Sequence, residues 1–84
     1  MAEDELIDVE VAYALPDCQV IVALRVPAGT SAREAVRRSG LLQRFPAIDL
    51  RGGGLGIFGQ RVSPSRPLDS GDRVEIYRAL AIDP

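Results

Sequence analysis

From Ile7 onward, apolar and polar positions alternate with a period of two. Ile7, Val9, Val11, Tyr13 and Leu15 fall on one side, and Asp8 and Glu10 fall on the other. That period predicts a half-buried β-strand. Pro16-Asp17 supplies turn chemistry. The next run alternates as well, with Val20, Val22, Leu24 and Val26 on one side and Gln19, Ile21, Ala23 and Arg25 on the other. Two alternating runs joined by a short turn predict a β-hairpin.

Pro27-Ala28-Gly29 ends the second strand. The period then changes to that of a helix. Ser31 followed three residues later by Glu34 is a capping-box pattern, in which hydroxyl and carboxylate both reach free amides at a helix start. Ala32, Ala35, Val36 and Ser39 form a narrow apolar stripe at helical spacing, while Arg33, Arg37 and Arg38 point elsewhere. Gly40 is suited to the left-handed residue that closes a helix. A short helix over residues 31–39 follows.

Residues 41–54 are read as irregular, with Leu41, Leu42, Phe45, Ile48 and Leu50 at the core edge and Pro46 limiting any helix. Leu55-Gly56-Ile57-Phe58-Gly59 predicts a short strand, and Gln60-Arg61-Val62 a second short strand or an extended link. Turn residues dominate 63–72. Arg73 to Arg78 alternates again, with Val74 and Ile76 inward. The order ββαββ packs one helix on a mixed sheet of four or five strands, an α+β solution. With a right-handed crossover this is the β-grasp, or ubiquitin-like, arrangement, its first and last strands parallel at the sheet centre.

Composition narrows the chemistry. The chain has 84 residues, one cysteine (Cys18) and no histidine. One domain over 1–84 is expected from that length. Internal disulfides, cysteine-rich zinc sites and Ser–His or Cys–His nucleophilic pairs are all excluded. No apolar run approaches the ~20 residues of a membrane span. The start, Met1-Ala2-Glu3-Asp4-Glu5, is acidic where a signal peptide is basic. A cytoplasmic location is expected. The net charge of −2 is unevenly spread, and all ten basic residues are arginine. Residues 1–24 carry six acids and no base, whereas residues 25–66 are arginine-rich. The arginines lie on a helix, a loop and a turn, and aromatic residues are scarce. RNA binding through Arg33, Arg37, Arg38 and Arg44 is therefore disfavoured against a solvated surface.

Several segments resemble one family when taken in order. They are residues 9–16 (Val-Glu-Val-Ala-Tyr-Ala-Leu-Pro), Ser39-Gly40-Leu41-Leu42 with Phe45-Pro46-Ala47-Ile48-Asp49-Leu50, Gly56-Ile57-Phe58-Gly59, and Gly71-Asp72-Arg73-Val74-Glu75-Ile76-Tyr77-Arg78-Ala79-Leu80 before Asp83-Pro84. Together these resemble the RnfH family of bacterial ubiquitin-like proteins. The resemblance implies a β-grasp fold and, through the family's name, an association with an electron-transport complex linked to nitrogen fixation. It implies no catalytic residues. Gln60 stands where the family commonly has lysine, and Ala79 where it has proline. The family commonly continues beyond Asp83-Pro84 into a basic tail.

No segment carries a catalytic or ligand-binding motif. Gly52-Gly53-Gly54 with Gly56 lacks the Gly-Lys-Ser/Thr of a phosphate loop, and a strand pattern follows it. Asp69 and Asp72 lack EF-hand spacing and read as turn residues with Gly71. Cys18 reads as a small residue at a strand start. No cofactor and no metal are expected. What remains is a surface. Ile21, Ala23 and Arg25 on the second strand, with Tyr77 and Arg78 at the end of the last, are the expected partner-binding residues on the sheet face away from the helix. The expected function is that of a small non-enzymatic module that binds another protein. The alternative is a sulfur carrier or modifier, but such proteins act through a C-terminal Gly-Gly, and Ala81-Ile82-Asp83-Pro84 offers none.

Overall fold

A computed structural model describes residues 5–15, 17–48 and 54–77. Five strands form one mixed sheet in the order β2-β1-β5-β3-β4. β1 (Leu6–Ala14) and β2 (Gln19–Pro27) make the long antiparallel hairpin. β5 (Arg73–Ile76) lies parallel to β1 at the centre. β3 (Leu55–Ile57) runs antiparallel to β5, and β4 (Gln60–Val62) antiparallel to β3. This is the β-grasp architecture expected from the alternation.

The core lies on one face only. Val9, Val11 and Tyr13 of β1, Leu55 of β3 and Val74 and Ile76 of β5 are buried there. Helix α1 (Ala32–Ser39) covers this face with Ala32, Ala35 and Val36, each fully buried. Its small side chains bring the helix axis close to the sheet. Gly40 ends it at φ 79°, in the left-handed region where glycine has no Cβ penalty.

The start of α1 departs from the full capping box. Ser31 Oγ accepts from the Glu34 N–H at 3.2 Å, but the Glu34 carboxylate turns to Arg37 and Arg38 instead. The preceding amides are satisfied by the 63–68 loop. Ala32 N–H donates to the Arg66 carbonyl and Arg33 N–H to the Pro64 carbonyl. Leu68, buried in the core, anchors that loop. A side chain freed from capping is thus available for ion pairing.

Two further differences from the expected elements have local causes. Leu41–Arg44 forms a one-turn helix, α2, where an irregular segment was expected. Leu41 is fully buried, and burial of that side chain outweighs the poor intrinsic stability of so short a helix. β3 stops at Ile57, because Phe58 and Gly59 form the β3–β4 turn. Their φ values of 50° and 83° are both positive, as the twist-matched two-residue hairpin turn requires. Phe58 therefore sits outside the strand and outside the core, 67% exposed. Tyr13 and Phe45 do pack inward, their ring centroids 5.3 Å apart.

Candidate functional site

Strand pleating sends alternate side chains to opposite faces, so one face of the sheet carries the core and the other is left open among the described residues. The register places one row of residues straight across that open face. Ile21 on β2 is paired with Ala12 on β1, Ala12 with Glu75 on β5, Glu75 with Gly56 on β3, and Gly56 with Arg61 on β4. Ile21 and Glu75 are two strand spacings apart, about 10 Å.

The row divides into two unlike halves. At the β2 end it is apolar: Ile21 is 44% exposed, and Ala23 beside it is also exposed. Ala12 is on the open face yet only 2% exposed, because a methyl group is overtopped by the longer side chains on both neighbouring strands. At the other end the row is polar and tied together. Tyr77 donates its phenolic hydrogen to Glu75 Oε1 at 2.8 Å, and the same oxygen accepts the Gly59 N–H at 3.0 Å. Burial, and then the hydrogen bond to Glu75, raise the Tyr77 phenol above its ordinary pKa of 10. It stays protonated and donating at neutral pH. The ring lies over Gly56, where any side chain would collide with it.

Below this row two ion pairs follow the strand register. Arg25 Nε meets Asp8 Oδ1 at 3.0 Å, and Arg73 Nε meets Glu10 Oε1 at 2.9 Å. Asp8 faces Arg25 and Glu10 faces Arg73 in the pairing. Such exposed cross-strand pairs contribute about 0.2–1 kcal/mol each. A shallow concavity of about 640 Å³ opens between them, lined by Asp8, Glu10, Ala23, Arg25 and Asp72 among others. Its lining sets Asp8, Glu10 and Asp72 against Arg25, an acidic excess that disfavours an anionic ligand.

Ile21, Ala23 and Arg25 thus share the open face with Tyr77. Ile21 and Ala23 are free apolar surface, Arg25 is engaged with Asp8, and Tyr77 is half-buried and engaged with Glu75. Arg78 lies outside the described residues. Two features of the face carry no sequence signal: the burial of Ala12, which depends on its neighbours' lengths, and Glu75 as the link between Tyr77 and the β3–β4 turn. The sequence pattern also places Phe58 in a strand; the Phe-Gly pair between two short alternating runs was the available signal for a hairpin tip.

The arginines of α1 and α2 are exposed on the helical side of the molecule. Arg37 and Arg38 both bind Glu34, at 2.8 and 2.9 Å, and Arg44 lies 5.4 Å from the centroid of the Phe45 ring. Among the described residues, no cluster of three or more His, Cys, Asp or Glu is arranged to hold a metal ion. No helix among them is long and apolar enough to cross a membrane. Cys18 is exposed.

Comparison with known proteins agrees with the fold and adds a lineage. The family model described as RnfH family Ubiquitin matches residues 7–84. The chain is 56% identical over 80 residues to Protein RnfH of Pseudomonas paraeruginosa, covering 93% of this chain and 80% of that protein. It is 45% identical to Protein RnfH of Halorhodospira halophila over 84 residues, covering 100% of this chain and 87% of that one. Among solved structures it is similar to a Haemophilus influenzae protein crystallised as a domain-swapped dimer. The TM-score is 0.59 at 38% identity, covering 94% of this chain and 99% of the other.

Proposed function

The chain belongs to the RnfH family of bacterial ubiquitin-like proteins, and we propose that it is a non-enzymatic module that binds another protein through the open face of its sheet. The observation that carries this reading is the row from Ile21 through Ala12 to Glu75, with Tyr77 beside it. An exposed aliphatic side chain borders small residues, and a fixed tyrosine–carboxylate pair stands at the far side. Contact cores of protein interfaces combine apolar anchors with a tyrosine and a few oriented polar groups. The polar half is already bonded internally, so it costs little ordering when a partner docks.

The resemblance to the family directs the search for the partner to subunits of an electron-transport complex, met on the cytoplasmic side. The interaction reading itself rests on the face and stands for any protein partner. Nucleic acid is a weaker candidate, because two arginines of the helix are paired with Glu34 and the open face holds balanced charges.

Affinity capture from the native host tests the reading. Wild-type protein is expected to retain one protein in stoichiometric amount, and the folded Ile21→Ala/Tyr77→Ala variant to lose it. Retention by the variant would place the site elsewhere. Capture of an adenylating enzyme with ATP-dependent covalent adducts would replace the reading with that of a carrier.

A further inference from the structure

β2 is an edge strand nine residues long, and edges of that length are normally blunted by charge, proline or bulges. Here the stretch from Gln19 to Leu24 holds no charge. Arg25 is drawn sideways to Asp8, and only Pro27 closes the end, its carbonyl taken by the Thr30 N–H at 3.1 Å. The strand is apolar on both faces. Ile21 and Ala23 are exposed on the open face, and Val20, Val22 and Leu24 remain only half-buried on the core face while Val26 is fully covered.

The hydrogen-bond parity shows which backbone groups of β2 point away from β1. Leu15 N–H donates to the Cys18 carbonyl and Ala28 N–H to the Glu5 carbonyl. With the β1–β2 register, Val20, Val22, Leu24 and Val26 therefore turn their backbone groups toward β1. Gln19, Ile21, Ala23 and Arg25 turn theirs outward, away from the sheet.

We infer that this edge is a self-association site, at which β2 pairs antiparallel with β2 of a second copy of the chain about a two-fold axis at Val22. In that register Ile21 faces Ala23 of the second copy, Val20 faces Leu24, and Val22 faces its own equivalent. Arg25, the one charge, faces Gln19, so no like charges meet. Each outward group finds an outward group, giving about eight backbone hydrogen bonds, two per narrow pair. Moving the axis to Ala23 sets Pro27, which has no N–H, against Gln19. Moving it to Ile21 carries Arg25 beyond the start of β2. Only the Val22 axis uses Gln19 to Arg25 in full. A foreign strand would have to match this two-sided apolar pattern, whereas a second copy does so by symmetry. The association extends the sheet and leaves its open face accessible, so it does not depend on the function proposed above.

Sedimentation of the full chain tests this from micromolar to about 1 mM. The mean mass should climb with concentration from 9.0 kDa toward twice that value. Ala23→Pro removes only an outward N–H, which a lone edge strand tolerates, and should stay at the monomer mass with an unchanged circular-dichroism spectrum. Cross-linking reads the register even if that variant fails to fold. In a Cys18→Ser background, Val22→Cys brings two thiols to a pair with Cα atoms about 4.5 Å apart and should yield a covalent dimer with a mild oxidant. Val20→Cys leaves its equivalents roughly 14 Å apart along the strands and should not. A monomer at every concentration overturns the inference. So does a dimer that survives in folded Ala23→Pro, or equal cross-linking at both positions.

Discussion

The Tyr77 ring occupies the space that a side chain at Gly56 would need: a Cβ there would come within 2.6 Å of Tyr77 Cε2. Gly56 is buried on β3 beneath a phenol held by Glu75. A residue without a side chain is thus a condition for the polar half of the open face. Gly56→Ala should cost about 1–3 kcal/mol of stability, the range of overpacking changes, as measured by urea unfolding. In a Tyr77→Ala background the same change should cost less, with a coupling of about 0.5–3 kcal/mol between the two positions. Additive effects would show that the two residues do not compete for this space.

Phe58 holds a backbone conformation that suits glycine and asparagine better than a bulky ring. Phe58→Asn keeps the two-residue turn and relieves that strain, and the lost side chain is mostly in water. The substitution should stabilise the protein by about 1 kcal/mol, raising Tm by roughly 4–8 °C for a chain of this size. A fall in Tm in a thermal melt would mean that the exposed ring packs productively after all.

Glu34 links acid stability to the helix. Hydrogen bonds from Arg37, then from Arg38, lower its pKa from 4.5 to about 2. A carboxylate whose folded pKa is depressed favours the folded state above its unfolded pKa. That contribution fades as pH falls from about 4.5 to about 2. Glu34→Gln should therefore show a shallower loss of Tm across this window than the wild type. High salt should also reduce the difference between the two proteins, because the pairs are exposed. Parallel Tm profiles for the two proteins below pH 4.5 would contradict this assignment.

Leu41 is fully buried, although its segment reads as an irregular core edge. Leu41→Ala should cost about 2–5 kcal/mol, in line with other large-to-small core changes and comparable with Leu55→Ala. Chemical denaturation distinguishes this from the value below 0.5 kcal/mol typical of an exposed position.

These residues also show where sequence patterns suffice. The alternation in residues 7–15, 19–26 and 73–76 is strong because each strand presents one face to a core and one to water. The central parallel pairing of β1 with β5 then follows from the element order and a right-handed crossover, whereas the place of β3 and β4 beyond β5 does not. Phe58 misled because an apolar residue at the end of an apolar run continues the strand pattern, and its positive φ comes from the turn that Gly59 shares. α2 was not visible because a four-residue helix has no period to detect; burial of Leu41 makes it. On the open face, Ile21, Ala23, Arg25 and Tyr77 could be placed by parity alone. The bond from Gly59 to Glu75 joins the β3–β4 turn to β5, 16 residues away, the bond from Tyr77 depends on where its ring settles over Gly56, and the cover over Ala12 depends on neighbouring strands, so none of these could be read from the alternation.

The most direct measurement is an amide-resolved NMR titration of isotope-labelled protein with the partner retained by affinity capture. Binding through the open face predicts the largest shift changes at Ile21, Ala23, Glu75 and Tyr77, with the amides of α1 nearly still. Changes concentrated on Arg33, Arg37 and Arg38, with the open-face residues unmoved, would contradict the account.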